Sequence, residues 1–172
     1  MRFSIAILIS LISTVSFGQN SIAIKNEIDA EVKQIRTDTK QPTVTFSIQA
    51  RKKVLHYINY NYVENTRDYL RISRQFHQKN ESIQQTFYLN NGQLIFANET
   101  IVTYFTTNSK TDSITWSADF YFSNGKLIDH ITLGHGKSEL ESWEPGTDMT
   151  KFFNESLNDI DRYKKNKTSN GL

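Results

Sequence analysis

The sequence predicts an α+β domain in which an antiparallel β-meander of about six to eight strands is flanked by an N-terminal and a C-terminal amphipathic helix. Near both ends of the chain, apolar residues recur every three or four positions, which is typical of amphipathic helices. Between these two segments, apolar residues alternate with polar ones, as in strands with one buried side. Short polar turns separate the alternating runs, and such short connections join antiparallel neighbours.

The first helix is predicted from Ser21 to about Thr37. Ser21 or Asn20 can cap it, because an Asn or Ser oxygen accepts from a free backbone N–H. The apolar positions form one stripe along this segment, at Ile24, Ile28, Val32 and Ile35.

Two β-hairpin turns are indicated by Asn91-Gly92 and Asn124-Gly125. Asn-Gly tolerates the positive φ angles that a type I′ turn requires at both central positions. The surrounding segments, residues 87–95 and 120–128, align with each other. Two copies are too few for a solenoid or a propeller, and the similarity is interpreted as convergent hairpin chemistry.

The second helix is predicted after Pro145-Gly146, with Thr147 or Asp148 as its cap. Residues 164–172 are expected to form a polar C-terminal tail. Both helices are expected to pack on one face of a curved sheet, leaving the other face to solvent or to a ligand. The apolar face of the second helix comprises Met149, Phe152, Phe153, Leu157, Ile160 and Tyr163.

Residues 1–18 are predicted to be a cleavable signal peptide, and residues 19–163 a single domain. Arg2 precedes an apolar run too short for a membrane span, and the small residues Ser16 and Gly18 place the cut before Gln19. The chain contains no cysteine, which excludes disulfides, thiolate metal sites and a lipid-anchored cysteine. A secreted or periplasmic protein without a membrane anchor after cleavage is therefore expected.

The end of the leader, Ser16-Phe17-Gly18-Gln19, resembles the signal ends of small exported proteins of Bacteroidota-type Gram-negative bacteria. The Asn-, Lys- and Ile-rich composition is similar as well. This resemblance implies a lineage and an exported location, and it implies no activity.

Charge and motif content exclude several functions. The formal net charge is +2, and the basic residues are spread along the chain, so no nucleic-acid partner is expected. His130 and His135 are the weak candidates for a metal site, but an odd spacing directs them to opposite faces of a strand. No metal, cofactor or catalytic residue is predicted.

Strand tyrosines are the feature most suited to a function. Tyr88 and Tyr121 alternate out of phase with the phenylalanines beside them, so they should leave the core face. Large, amphipathic tyrosines on an open sheet face can bind a partner, although they also serve as ordinary cross-strand stabilisers. The predicted binding residues are Tyr57, Arg71, Tyr88 and Tyr121.

The sequence therefore favours an exported, non-enzymatic binding module that contacts an envelope or extracellular protein, a peptide or a glycan. One alternative is a carrier whose barrel-like or cupped sheet encloses a small apolar ligand. Another is a small hydrolase or isomerase with a cone-shaped sheet that uses His56, His77 or His130 as its base. The identity of the partner and the oligomeric state are left open.

The predicted leader can be tested by fractionating cells that produce the full chain. We expect the protein in the periplasm or the medium, with Gln19 as its first residue on N-terminal sequencing. A cytosolic protein that still carries Met1 would contradict export.

Overall fold

The computed structural model describes residues 21–38, 42–50, 56–64, 68–107 and 109–169. The predicted signal peptide lies outside the described residues. The described part contains two α-helices and one seven-stranded sheet. Helix α1 comprises residues 21–37, and α2 comprises Pro145–Ser169.

The sheet is an antiparallel meander in which each strand pairs with the next one in sequence. This arrangement confirms the predicted fold class. The strands at the two edges, β1 and β7, do not pair with each other, so the closed-barrel form of the carrier hypothesis is wrong. The strands are β1 Thr43–Ala50, β2 His56–Glu64, β3 Tyr69–Gln78, β4 Glu81–Asn90, β5 Gln93–Thr107, β6 Lys110–Ser123 and β7 Lys126–Leu133.

Both predicted Asn-Gly turns are present, between β4 and β5 and between β6 and β7. The φ angles are 49° at Asn91 and 74° at Gly92, and 51° at Asn124 and 72° at Gly125. Positive φ at both central positions is the requirement that led to the prediction.

The two helices pack on opposite faces of the sheet, so the prediction that they share one face is wrong. We call the face under α2 the inner face; it carries Phe87 and Phe120. We call the face under α1 the outer face; it carries Tyr88 and Tyr121. Adjacent aromatic residues point to opposite sides of a strand, so each aromatic pair leaves one ring on each face to be covered.

Helix α1 lies across the turn end of the outer face. Its residues Ile28 and Val32 are buried against the rings of Tyr88, Phe96 and Tyr121. Phe96 stands edge-on between the two tyrosines, with ring centroids 5.8 Å and 5.1 Å away. These five residues form an apolar cluster separate from the core under α2, and we call the three rings that α1 covers the α1 seat.

Polar bonds fix α1 along this seat. The Arg36 Nε donates to the Tyr88 hydroxyl at 2.9 Å, and the Tyr121 hydroxyl donates to the Asp29 carboxylate at 3.1 Å. At the other end of the helix, the Lys25 ammonium lies 2.5 Å from a carboxylate oxygen of Asp129. The Lys25 contact is the main reason that the pKa of Asp129 lies below its usual range.

Helix α2 closes the main core on the inner face. The predicted apolar stripe is confirmed, because all six of its residues are buried in this core or packed against it. The helix begins at Pro145, where the missing N–H of proline costs no helical hydrogen bond. It runs through Ser169, so the first part of the predicted polar tail is helical. Lys164 accordingly lies 2.6 Å from Glu64, with its ammonium over the Tyr69 ring.

A buried row of polar side chains crosses the inner face beneath α2. We call Tyr60, Arg74, Gln85 and Glu99 the inner polar row; they are direct cross-strand neighbours in β2, β3, β4 and β5. Arg74 donates to Gln85 at 2.5 Å, and Gln85 donates to Glu99 at 2.5 Å. Glu99 is fully buried, so its charge needs a partner.

Lys137 supplies the charge that Glu99 requires. Its ammonium lies 2.9 Å from each Glu99 oxygen. Lys137 begins a short 3-10 helix, Lys137–Glu139, which the preceding glycines let approach the sheet. A Cβ on Gly134 would lie 2.4 Å from the Thr115 carbonyl oxygen, and one on Gly136 would lie 2.8 Å from the Trp116 ring.

Helix α2 completes the network at the other end of the row. The Tyr60 hydroxyl donates to Asp159 at 2.6 Å, and Arg74 lies 3.3 Å from Glu155. Burial, followed by this hydrogen bond to Asp159, raises the pKa of Tyr60 far above its ordinary range. The inner polar row therefore joins the sheet, the 3-10 helix and α2.

Within the described residues, neither helix is both long and apolar enough to cross a bilayer.

The hydrogen bond between Tyr121 and Asp29 predicts that Tyr121→Phe has a lower free energy of unfolding than the wild type, by an amount that depends on pH. Burial, followed by the Asp29 hydrogen bond, raises the pKa of Tyr121 from 10.0 to about 12. The protonated tyrosine therefore stabilises the fold fully below pH 10.0, and this contribution is lost as the pH rises through about 12. At pH 8 the variant should be less stable by about 1 kcal/mol, the usual value of one hydrogen bond. Urea unfolding followed by circular dichroism should show this gap closing in alkali, whereas a constant gap would contradict the assignment.

The ion pair of Glu99 and Lys137 predicts that the stability changes caused by substituting each residue do not add in the double variant. Replacing Lys137 with methionine should destabilise the fold by about 3–5 kcal/mol, because the fully buried Glu99 keeps an unpaired charge. Replacing Glu99 with methionine should cost less, because the Lys137 side chain is 26% exposed and its ammonium can still be hydrated. The double variant Glu99→Met/Lys137→Met should cost much less than the sum of the single changes. Urea denaturation at neutral pH gives the three differences, and strict additivity would show that the two charges do not depend on each other.

Candidate functional site

The half of the outer face that α1 leaves uncovered is the candidate site. Its side chains form three rows that cross the strands between the α1 seat and the opposite end of the sheet. We call these rows the outer polar face. They are Thr45, Asn61, Ser73, Thr86, Asn98, Asp119 and Ile131; Ser47, Asn59, Gln75, Gln84, Thr100, Ser117 and Leu133; and Gln49, Tyr57, His77, Ser82, Val102 and Thr115.

The outer polar face is rich in amides and hydroxyls and poor in charge. Asp119 is the only Asp, Glu, Lys or Arg in the three rows, although such residues make up 22% of the chain. The Asp119 carboxylate accepts a hydrogen bond from the Asn98 amide at 2.7 Å. Exposed sheet faces ordinarily carry many charged side chains, and their absence here needs a separate explanation.

Cross-strand hydrogen bonds order part of this surface. The Ser47 hydroxyl donates to the Asn59 side-chain oxygen at 2.6 Å, and the hydroxyls of Ser73 and Thr86 lie 3.1 Å apart. Neighbouring strands lie about 4.8 Å apart, so the rows form a regular array of polar groups. The register shifts of the sheet occur near the turns and do not interrupt these rows.

Tyr57 is the exposed aromatic residue of this face. It lies on β2 opposite Gln49, and 62% of its surface is accessible. Asn59, the next residue on this face of β2, is also exposed, as is its cross-strand neighbour Gln75. An exposed ring beside amide groups is suited to a ligand that has both apolar and polar surfaces.

Arg71 lies on the same face as Tyr57, but at the other end of the strand pair formed by β2 and β3. It pairs with Val63 on one side and with Tyr88 on the other. Its Nε is buried and has no hydrogen-bond partner among the described residues. The same holds for the side-chain oxygen of Asn61, two residues from Val63 along β2. A buried donor and a buried acceptor thus both lack partners at this corner.

The structure divides the four predicted binding residues into two pairs. Tyr57 and Arg71 are accessible to different degrees on the outer face, and their binding role stays a prediction. Tyr88 and Tyr121 do leave the inner core as predicted, but α1 covers them and each is only 5% exposed. The expectation that these two tyrosines form an open surface is therefore wrong; they hold α1 instead.

The histidines do not come together in the described part of the chain. His130 lies on the inner face of β7 with its ring edge-on to Trp143 at 5.4 Å, whereas His77 lies on the outer face. His135 lies beyond β7, with its Nδ1 2.5 Å from a Glu139 oxygen. No group of three potential metal ligands occurs among the described residues. The side chain of His56, the remaining candidate base, lies outside them.

A groove of about 760 Å³ runs between α2 and the turn that joins β6 to β7. Leu127 lies in its lining, together with the polar or charged side chains of Lys126, Lys151 and Asn154. The groove is open along its length, so it does not enclose an apolar ligand as the carrier hypothesis requires.

The sequence already contained a signal for the outer polar face. Every second residue in the middle of β2, β3 and β4 is Asn, Gln, Ser or Thr, at Asn59, Asn61, Ser73, Gln75, Gln84 and Thr86. Alternation places these residues on one side, and the lack of Lys and Glu there distinguishes that side from an ordinary solvated face.

The chain matches no protein-family model, and comparison with curated proteins and with solved structures gives no match either.

Proposed function

We propose that the chain is an exported, non-enzymatic binding module that recognises a glycan through its outer polar face. The observation that carries this proposal is the continuous, nearly uncharged array of amide and hydroxyl groups across the sheet. The exported location rests on the predicted leader. The proposed ligand lies along β2 and β3, between Tyr57 and Arg71.

A glycan fits the chemistry of this surface better than other macromolecules do. Sugar hydroxyls both donate and accept, and Asn and Gln side chains offer two donors and an acceptor in one group. A nucleic acid requires a cluster of cations for its phosphates, which the three rows do not contain. A protein partner typically requires an apolar or aromatic centre in the interface. The exposed apolar residues Ile131 and Leu133 lie at the β7 edge of these rows, whereas the centre of the middle row is polar.

The dimensions of the path suit several sugar units. Tyr57 and Val63 lie six residues apart on β2, which corresponds to roughly 20 Å at about 3.3 Å per residue. Tyr57 provides a flat ring on which the apolar face of a sugar can stack. Asn59 and Gln75, which are exposed neighbours, provide the hydrogen bonds beside it.

The chain offers a matched control for testing Tyr57. Tyr104 is also exposed, at 43%, but it lies near the end of β5, beyond the three rows. We expect Tyr57→Ala to weaken glycan binding by about tenfold, equivalent to about 1.4 kcal/mol, and Tyr104→Ala to leave it unchanged. The measurement is binding of the mature chain to an array of neutral and acidic oligosaccharides, followed by titration of the best ligand.

Two results would reject this function. The wild type could bind no sugar on the array, or both tyrosine variants could lose binding equally. Capture of an envelope protein that persists after its glycans have been removed enzymatically would favour a protein or peptide partner instead.

A further inference from the structure

Strand β7 is an open edge of the sheet. It pairs with β6 on one side, and beyond that ladder the described residues make no backbone–backbone hydrogen bond to it. The His130 N–H donates to the Asp129 carboxylate at 2.8 Å. The chain after β7 turns back over β6, where Gly134 packs closely against the Thr115 carbonyl. An edge whose backbone groups are free is a template for an added strand.

Exposed apolar side chains gather at this edge. Ile131 is 51% exposed and Leu133 is 75% exposed, and both lie on the outer face. The edge formed by β1 differs, because Phe46 is buried there and the exposed side chains beside it are Thr45 and Ser47. An exposed strand edge that carries apolar residues favours association with another strand, so β7 is the edge suited to a partner.

Helix α1 extends past the same edge. Asp29 is bonded to Tyr121 on β6, and Lys25 to Asp129 on β7. Four residues of helix, roughly 6 Å, thus cross about one strand spacing. Residues 21–24 continue the helix by about another 6 Å in the same direction. The first turn of α1 therefore lies over the position that an eighth strand beside β7 would take.

Ile22 lies in this overhanging turn. It is three residues before Lys25, so it lies on the same side of the helix, one turn further from the centre of the sheet. The residue is 61% exposed. A strand added at β7 would therefore be covered on its outer face by Ile22.

The chain itself cannot supply the added strand. Between described elements, the longest segment outside the described residues is 51–55, which joins β1 to β2 at the other side of the sheet. The three residues after Ser169 follow the end of α2, where Tyr163 stacks on Phe46 of β1. In the predicted mature chain only Gln19 and Asn20 precede α1. The added strand must therefore come from another molecule.

We infer that the chain forms a symmetric dimer in which β7 pairs antiparallel with β7 of a second copy, with Ile131 at the two-fold axis. Each residue from 129 to 133 then lies opposite one from 133 to 129 of the partner. Ile131 contacts the partner's Ile131, and the partner's Leu133 lies opposite Asp129, beneath the first turn of α1. The same two contacts form again on the other side of the axis, so the edge is complementary to itself.

Other registers that keep the outer faces aligned fit less well. A two-fold axis at Asp129 would bring two carboxylates together, which is destabilising. An axis at His130 would place Ile131 opposite the partner's Asp129. An axis at Thr132 would pair only the last three residues of β7 with their counterparts.

The first test measures the association of the mature chain by sedimentation over a series of micromolar concentrations. The wild type should dimerise reversibly. Ile131→Asp should weaken the dimer by more than tenfold, because it brings two carboxylates together at the axis. The matched control is Ile114→Asp: Ile114 is exposed to almost the same degree, at 52%, but it lies on β6 beyond the end of the β7 ladder, and its substitution should leave association unchanged.

Cross-linking tests the register separately. The chain contains no cysteine, so Ile131→Cys introduces a single thiol. Directly opposed residues in antiparallel strands have Cβ atoms about 4.5–5.5 Å apart, so mild oxidation should give a disulfide-linked dimer. The two thiols of Leu133→Cys would be separated by four residues along the strands, roughly 13 Å, and should not cross-link.

Several results would overturn the dimer. A wild type that stays monomeric at every concentration would do so, as would equal weakening by Ile131→Asp and Ile114→Asp. Preferential cross-linking of Leu133→Cys over Ile131→Cys would reject the proposed pairing. Circular dichroism and the urea midpoint establish that each variant is folded, and glycan binding is measured independently of these outcomes.

Discussion

Adjacent aromatic residues in β4 and β6 require the sheet to be covered on both faces. Phe87 and Phe120 point inward, so Tyr88 and Tyr121 must point outward. Burying this second set of rings is what holds α1 on the outer face. The helix covers only the turn end, where the rings lie, and the rest of that face stays open. The position of the candidate site is therefore a consequence of where the outward aromatic residues stop.

The inner face combines two kinds of contact. Apolar residues pack on either side of a row in which Arg74, Gln85 and Glu99 are almost completely buried. Such a row contributes little net stability compared with apolar packing, but it tolerates few alternative arrangements because every charge needs its partner. Lys137 can satisfy Glu99 only when the segment after β7 is in place. Because this network lies beneath α2, the polar side chains that no helix covers are those of the opposite face.

Local signals in the sequence were sufficient for the elements of the fold. The two helices, the Asn-Gly turns and the meander follow from periodicity and from residue types that act over a few positions. The placement of the helices did not follow, because it depends on which side of each strand faces a distant segment. The inner polar row could not be predicted from the sequence either. Glu99 and Lys137 are far apart in the sequence, and isolated charged residues are ordinarily predicted to be exposed. For the site, alternation correctly separated Tyr88 and Tyr121 from the inner core, but it could not indicate that α1 would cover them.

The lack of charge on the outer polar face also determines how the surface responds to its surroundings. Dissolved ions screen attraction between charges, whereas they leave hydrogen bonds between uncharged groups largely unaffected. The affinity of a neutral sugar chain bound at Asn59 and Gln75 would consequently change little between low and high ionic strength.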